Sequence, residues 1–206
     1  MTIAIIGAGA IGSVVAGCLV KAGQEVSLVG RSDQVKAIQK NGLSIKGVRG
    51  EQTIKLKAMT RLDQKYDLTI FTVKTQDIEE AYQDNRQHLD GSLVLSTQNG
   101  VQADNLISSH FEREKMMSSI VMFGATYVNP GEVMLNFEGD WILGKPFTPN
   151  DQDVRQVVEI LSQSFTVVVS ENIMGMKWLK LFVNFNNCIP ALIGKSMQET
   201  FSDLDF

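Results

Sequence analysis

TIAIIGAGAIGSVVAGCLVKAG, residues 2–23, decides the fold. Its opening apolar run reads as a buried strand. The glycine-rich turn Gly7-Ala8-Gly9-Ala10-Ile11-Gly12 follows, and then a run of small and apolar residues at helical length. Lys21 and Gly23 supply a basic last turn and a stop signal for that helix. A Gly-x-Gly-x-x-Gly turn that leaves a strand and opens a helix is the context in which such a loop cradles a dinucleotide. Gly7 permits the tight turn, Gly9 lets a pyrophosphate approach the backbone, and Gly12 lets the helix sit close to the strand. The free amides and positive end of the helix then face the phosphates. Residues 7–12 are therefore expected to bind cofactor, the plain alternative being a glycine turn needed only for packing.

The partner strand sharpens this reading. QEVSLVGRSD, residues 24–33, ends on Gly30-Arg31-Ser32, where folds that prefer NAD place an acid against the ribose hydroxyls. A guanidinium there can pair with a 2′-phosphate and stack on adenine. Arg31 thus favours NADP, although a solvated arginine with Asp33 serving an NAD ribose is the competing reading. Farther along, YDLTIFTVKT and GSLVLSTQNG (66–75 and 91–100) read as buried strands followed by Lys74 and Asn99. Ligands of open α/β sheets collect outside the carboxyl ends of strands, so both residues are candidates for the same cleft.

Strand and helix alternate through most of the chain, which predicts an α/β fold with a doubly wound, largely parallel sheet. LSIKGVRGEQTIKLKAMT (43–60) alternates around glycines and is expected to form a hairpin. Residues 115–146 look like strands joined by turns, and 149–164 like an amphipathic helix. From about residue 172 the texture changes to one long apolar stretch at helical spacing. Lys177, Lys180, Asn184 and Asn187 are spaced three, four and three apart, on one face of that helix. This stripe is either a solvent face or a polar lining in which a lysine protonates a carbonyl beside amides that hold substrate. Replacing Lys177 is expected to cost far less turnover than replacing Lys180.

Composition excludes other classes. With 206 residues, 44% hydrophobic and 20% charged, the chain can bury a sizeable core in one or two domains. A formal charge of −4 argues against nucleic acid or an anionic membrane as partner. No apolar run approaches the roughly 18 residues needed to span a bilayer. Strand begins at once, without a basic leader. Two distant cysteines, Cys18 and Cys188, point to a reduced, cytoplasmic setting. Two histidines with no metal-type spacing leave no metal site to expect.

Taken in order, GAGAIGS, VGR, FTVKT, TQNGV and WLKLFVNFNN resemble the ketopantoate reductase family (2-dehydropantoate 2-reductases). The resemblance implies a Rossmann-type NADP-binding domain, here residues 1–170, followed by an all-helical substrate and dimerisation domain, of which residues 171–206 would be the first part. It implies NADPH-dependent reduction of a 2-oxo acid, 2-dehydropantoate to pantoate, on the way to pantothenate and coenzyme A. Carried over by motif, Gly7, Gly9 and Gly12 meet the pyrophosphate and Arg31 the 2′-phosphate, while Lys74 and Asn99 lie near ribose and nicotinamide. Lys180 becomes the general acid and Asn184 a substrate ligand. The family's next asparagine, one helical turn on, is Cys188 here, and neighbouring Asn187 is the candidate substitute. The family's helical domain runs on by about a hundred residues, a usual domain size. The chain by itself is therefore expected to bind cofactor, turn over poorly and associate with itself, as a dimer, through its apolar helix. The alternatives are a nucleotide-sensing module without chemistry and a related NADP-dependent hydroxy-acid dehydrogenase.

Overall fold

The computed structural model describes residues 1–202, except the side chains of Asn187 and Phe201. In chain order the first half contains β1 (Thr2–Ile6), α1 (Ala10–Lys21), β2 (Glu25–Val29), α2 (Ser32–Asn41), β3 (Leu43–Gly47), β4 (Gln52–Ile54), β5 (Lys57–Met59), β6 (Leu68–Phe71), α3 (Ile78–Asn85) and β7 (Leu93–Ser96). The second half contains α4 (Ala103–Ser108), β8 (Met116–Val121), β9 (Gly124–Asn129), β10 (Glu132–Phe137), β11 (Trp141–Gly144), α5 (Gln152–Leu161), β12 (Val167–Val169), α6 (Ile173–Ile193) and α7 (Met197–Ser202).

Eight strands form the main sheet in the order β12-β11-β8-β7-β6-β1-β2-β5. From β5 to β8 every pairing is parallel, and β11 joins β8 antiparallel. Strands covered on both faces read as unbroken apolar runs, and all four residues of β6 and of β7 are buried. Side chains alternate across the sheet: Ile3 and Ile5 join one core, Ala4 and Ile6 the other. The chain order reverses between β1 and β6, so the crevice that such sheets use for ligands opens beside the glycine turn.

The first helix is apolar all round because both of its sides are covered. Residues Gly12 to Leu19 of α1 are all buried. A second sheet, ordered β4-β3-β10-β9, lies on the side away from the main one. Gly17 permits this approach, since a Cβ there would sit 2.9 Å from the tip of Ile54 and closer still to Ile45. This second layer was not expected. It also corrects the hairpin reading of residues 43–60: β3 and β4 pair antiparallel, but β5 leaves them and runs parallel to β2 at the main sheet's edge. The partner that completes the small sheet is β10, which lies parallel to β3. Such a long-range pairing leaves no local trace in sequence.

At the other end, Asn172 caps α6 by accepting from the Gly175 amide at 2.9 Å, and Gly194 ends it in the left-handed conformation at φ 69°. The helix presents its sides in an unusual sense. Phe182 and Leu192 are 63% and 85% exposed, while Lys177 is buried. Among the described residues no helix is long and apolar enough to cross a membrane.

Candidate functional site

Two of the three loop glycines are demanded by the protein itself. Gly7 adopts φ 124°, and a Cβ on it would lie 2.6 Å from the Val73 amide nitrogen. A Cβ on Gly12 would overlap the Gly7 carbonyl oxygen and Thr72 Oγ1. Thr72 holds this arrangement by donating to the Gly7 carbonyl at 2.7 Å, and the Gly7 amide donates to Val29 O at 2.9 Å. Gly9 differs: it is exposed, with φ −79°, and a Cβ there would meet nothing within 4 Å. No packing reason for a glycine exists at that position, and the space beside it is the cleft. Ala8 is buried, with its Cβ facing Gly30. Ala10 and Ile11 are half-buried in the first turn of α1.

The cleft measures about 1090 Å³, on the scale of a cofactor site. The glycine loop, residues 29–34 and residues 72–74 line it, together with Arg61 and Tyr127. Arg31 is exposed at the N-cap of α2; its carbonyl accepts from the Val35 amide at 2.9 Å, and among the described residues its guanidinium makes no hydrogen bond or ion pair. Its charge is therefore available to an anion. Arg61 pairs with Asp84 at 2.8 Å. Tyr127, from the second sheet, donates to Gln34 Oε1 at 3.0 Å. Sequence reasoning missed both, because the hairpin reading hid the path of β5 and nothing local announces the second sheet.

A smaller cavity of about 320 Å³ adjoins the first, sharing residues 72–74 and Gln76 and bounded by Ile11 and residues 97–99. Lys74 is exposed at the end of β6 and lines both cavities. Thr97 Oγ1 donates to Phe71 O at 2.8 Å. The Gln98 amide donates to Phe71 O and Val73 O at 2.9 and 3.0 Å, tying the ends of β6 and β7 together. Asn99, next in the chain, is left exposed in the cavity wall. Gln98 also escaped the sequence reading, although it belongs to the same TQNG phrase.

The polar face of α6 turns toward this sheet edge rather than to solvent, which overturns the solvent-face reading. Lys180 is half-buried and donates to Val121 O, at the carboxyl end of β8, at 2.8 Å. That bond leaves two of its three ammonium hydrogens for other acceptors. Burial, and then the neighbouring Lys177 charge, hold its pKa below the ordinary lysine value. Asn184 is half-buried one turn later. The expectation for Asn187 lies outside the described residues. Neither Lys180 nor Asn184 is among the residues lining the two cavities. Lys177 is 2% exposed and paired at 2.6 Å with Asp104, which is fully buried. Of the two readings the spacing left open, the contacts of Lys177 and Lys180 exclude the solvent face. Cys18 is buried, Cys188 exposed, and both are free thiols. Among the described residues no group of three metal-ligating side chains converges.

A parallel sheet with its glycine loop at the reversal of strand order, and a cleft with a free arginine beyond it, defines a Rossmann-type nucleotide-binding domain. More narrowly, the chain belongs to the ketopantoate reductase family: the profile Ketopantoate reductase PanE/ApbA matches residues 3–146. It is 35% identical over 186 residues to the 2-dehydropantoate 2-reductase of Pyrococcus abyssi, covering 89% of this chain and 61% of that one. Of solved structures, the 2-dehydropantoate 2-reductase of Geobacter metallireducens superposes with a TM-score of 0.87 at 25% identity, over 94% of this chain and 66% of that one. The ternary structure of D-mandelate dehydrogenase with NADH and anilino(oxo)acetate superposes with a TM-score of 0.85 at 28% identity, over 90% and 62%. The chain spans about three fifths of the length of the curated relatives it matches.

Proposed function

We propose that the chain binds NADP(H) in the large cleft and that the protein reduces a 2-oxo acid, 2-dehydropantoate, to the hydroxy acid. The observation that carries this is Lys180: a half-buried ammonium with donors to spare, at the same sheet edge as the glycine loop and Asn99. A sensor has no use for a proton donor there. The residues fit the cofactor. Gly9 opens on the cleft, residues 8–12 offer amides and a helix start to the pyrophosphate, and Arg31 supplies an unpaired charge for the 2′-phosphate. Lys74 and Asn99 would hold ribose and nicotinamide.

When bound, the reduced nicotinamide supplies the hydride that the carbonyl carbon gains. Lys180 hydrogen-bonds the carbonyl oxygen and gives it a proton as negative charge builds there, leaving a neutral amine that solvent reprotonates. Its lowered pKa makes it a stronger acid at neutral pH. Asn184, with Asn99 and Asn187, would orient the substrate. We assign residues 1–170 to the cofactor domain and 171–206 to a substrate and dimerisation unit, with a homodimer in the cytoplasm as the working state. Cys188, at the position one turn after Asn184, favours a second reading in which another 2-oxo acid is the substrate, as the likeness to D-mandelate dehydrogenase also supports.

The test has two arms. NADPH fluorescence should report saturable binding by the chain. In a version that carries the family's whole helical domain, addition of 2-dehydropantoate should oxidise NADPH, with Lys180→Ala slower by about 10²–10⁴ and its NADPH affinity unchanged. No oxidation, or equal rates in parent and variant, sinks the reductase reading.

A further inference from the structure

The Asp104–Lys177 ion pair takes no part in that reaction, yet it is the most deeply buried charge pair among the described residues. Such pairs add little net stability, because desolvation offsets their attraction, and apolar side chains of similar size often serve as well. Its surroundings suggest a different use. Asp104 lies in the first turn of α4, five residues after Asn99. Lys177 holds one of its oxygens; the other accepts from Ser96 Oγ, at the end of β7. Ser119 Oγ, on β8, donates to Ser96 O at 2.7 Å, and Ser118 Oγ lies 3.3 Å from Ser96 Oγ. The carboxylate is therefore anchored to Ser96 at the carboxyl end of β7 and, through Ser96, to the middle of β8. Lys180 follows Lys177 by three residues, about 4.5 Å along the helix and some 60° around it. It meets the end of β8 through Val121 O.

We propose that the Asp104–Lys177 pair is a positioning device for Lys180, locking the rotation and height of α6 against the loop that carries Asn99 so that the ammonium stands at the sheet's carboxyl edge. This rests on Lys180 being the proton donor, but its readout does not need turnover. Among the described residues, the charged side chains bonded at this junction are Lys177 and Lys180 from α6 and Asp104 from α4. The β8 face contributes Val121 O and the serine hydroxyls. Besides fixing the helix, the Lys177 charge helps keep Lys180 easier to deprotonate than an ordinary lysine.

The experiment is NMR of protein carrying 13Cε-lysine, with the Lys180 signal identified by its loss in Lys180→Arg. In the double variant Asp104→Asn/Lys177→Met, which leaves no buried charge unpaired, the Lys180 titration midpoint should rise toward the ordinary lysine value. Its signal should also sharpen as the ammonium gains freedom, with NADPH affinity within about twofold of the parent. Should that variant unfold, Lys177→Gln keeps a donor to Asp104, and the same upward movement is expected. An unchanged midpoint and linewidth in whichever variant folds overturns the proposal. Failure of a version with the whole helical domain to oxidise NADPH would instead count against the reductase reading and leave this titration interpretable.

Discussion

Alanine at Gly9 and at Gly12 should separate binding from folding, because the two glycines are needed for opposite reasons. At Gly12 the new Cβ enters van der Waals contact with the Gly7 carbonyl oxygen and Thr72 Oγ1 by roughly 1 Å. The carbonyl is backbone, and Thr72 is committed to it at 2.7 Å, so neither can swing away. The start of α1 must move, and overpacking of this kind costs about 1–3 kcal/mol. In a chain of this length each kcal/mol lowers Tm by about 2–4 °C, so Gly12→Ala should melt roughly 2–12 °C below the parent. At Gly9 the φ of −79° suits any L residue, and nothing lies within 4 Å. The entropy gained by removing a glycine, about 0.4–1 kcal/mol, is offset by alanine's poorer N-cap behaviour, so Tm should hardly change. The methyl group would occupy the space a pyrophosphate needs, and loss of that contact should weaken NADPH at least about tenfold, or 1.4 kcal/mol. Differential scanning calorimetry and NADPH fluorescence titration read the two effects. Parental NADPH affinity in Gly9→Ala would refute the placement of the phosphates, and a parental Tm in Gly12→Ala would refute the packing account.

Other outcomes follow from single contacts. Arg31→Ala should cost about 1.5–3 kcal/mol of NADPH binding and little for NADH, and equal weakening of both cofactors would show that the guanidinium does not meet a 2′-phosphate. The Asp67 carboxylate accepts from the Thr2 amide at 2.7 Å, which holds its pKa below the ordinary value. Its contribution is present above the unfolded pKa and lost as pH falls through the folded one, so Asp67→Asn should flatten that acid limb. The loss at neutral pH should stay below about 1 kcal/mol, because solvent screens the site; a parent-like acid limb in pH-dependent denaturation would contradict this. Trp178, Phe182 and Leu192 expose 51%, 63% and 85% of their surface on one helix, so sedimentation should find the chain self-associating, and Phe182→Ser/Leu192→Ser should weaken this. A monodisperse parent monomer would rule that out.

How far the sequence reached can be judged from particular residues. Residues 2–23 determined the strand, turn and helix by local rules, since a buried parallel strand, a glycine-only turn and a small-residue helix each leave their mark within a few positions. Arg31, Lys74 and Asn99 were legible because each follows a strand, and a parallel sheet brings strand ends to one edge whatever the rest of the chain does. The spacing of Lys177, Lys180 and Asn184 put them on one helix face. Only the tertiary structure decided that this face points inward, because periodicity gives relative angle along a helix and carries no absolute direction. The same holds for Asp104, an ordinary first-turn acid until α6 arrives 73 residues later to pair with it. It holds for Gly17 and Tyr127 as well, whose roles depend on a second sheet assembled from β3 and β10, strands nearly ninety residues apart. Local propensity acts over a few residues, whereas long-range pairing is selected by the burial available once the first layer exists.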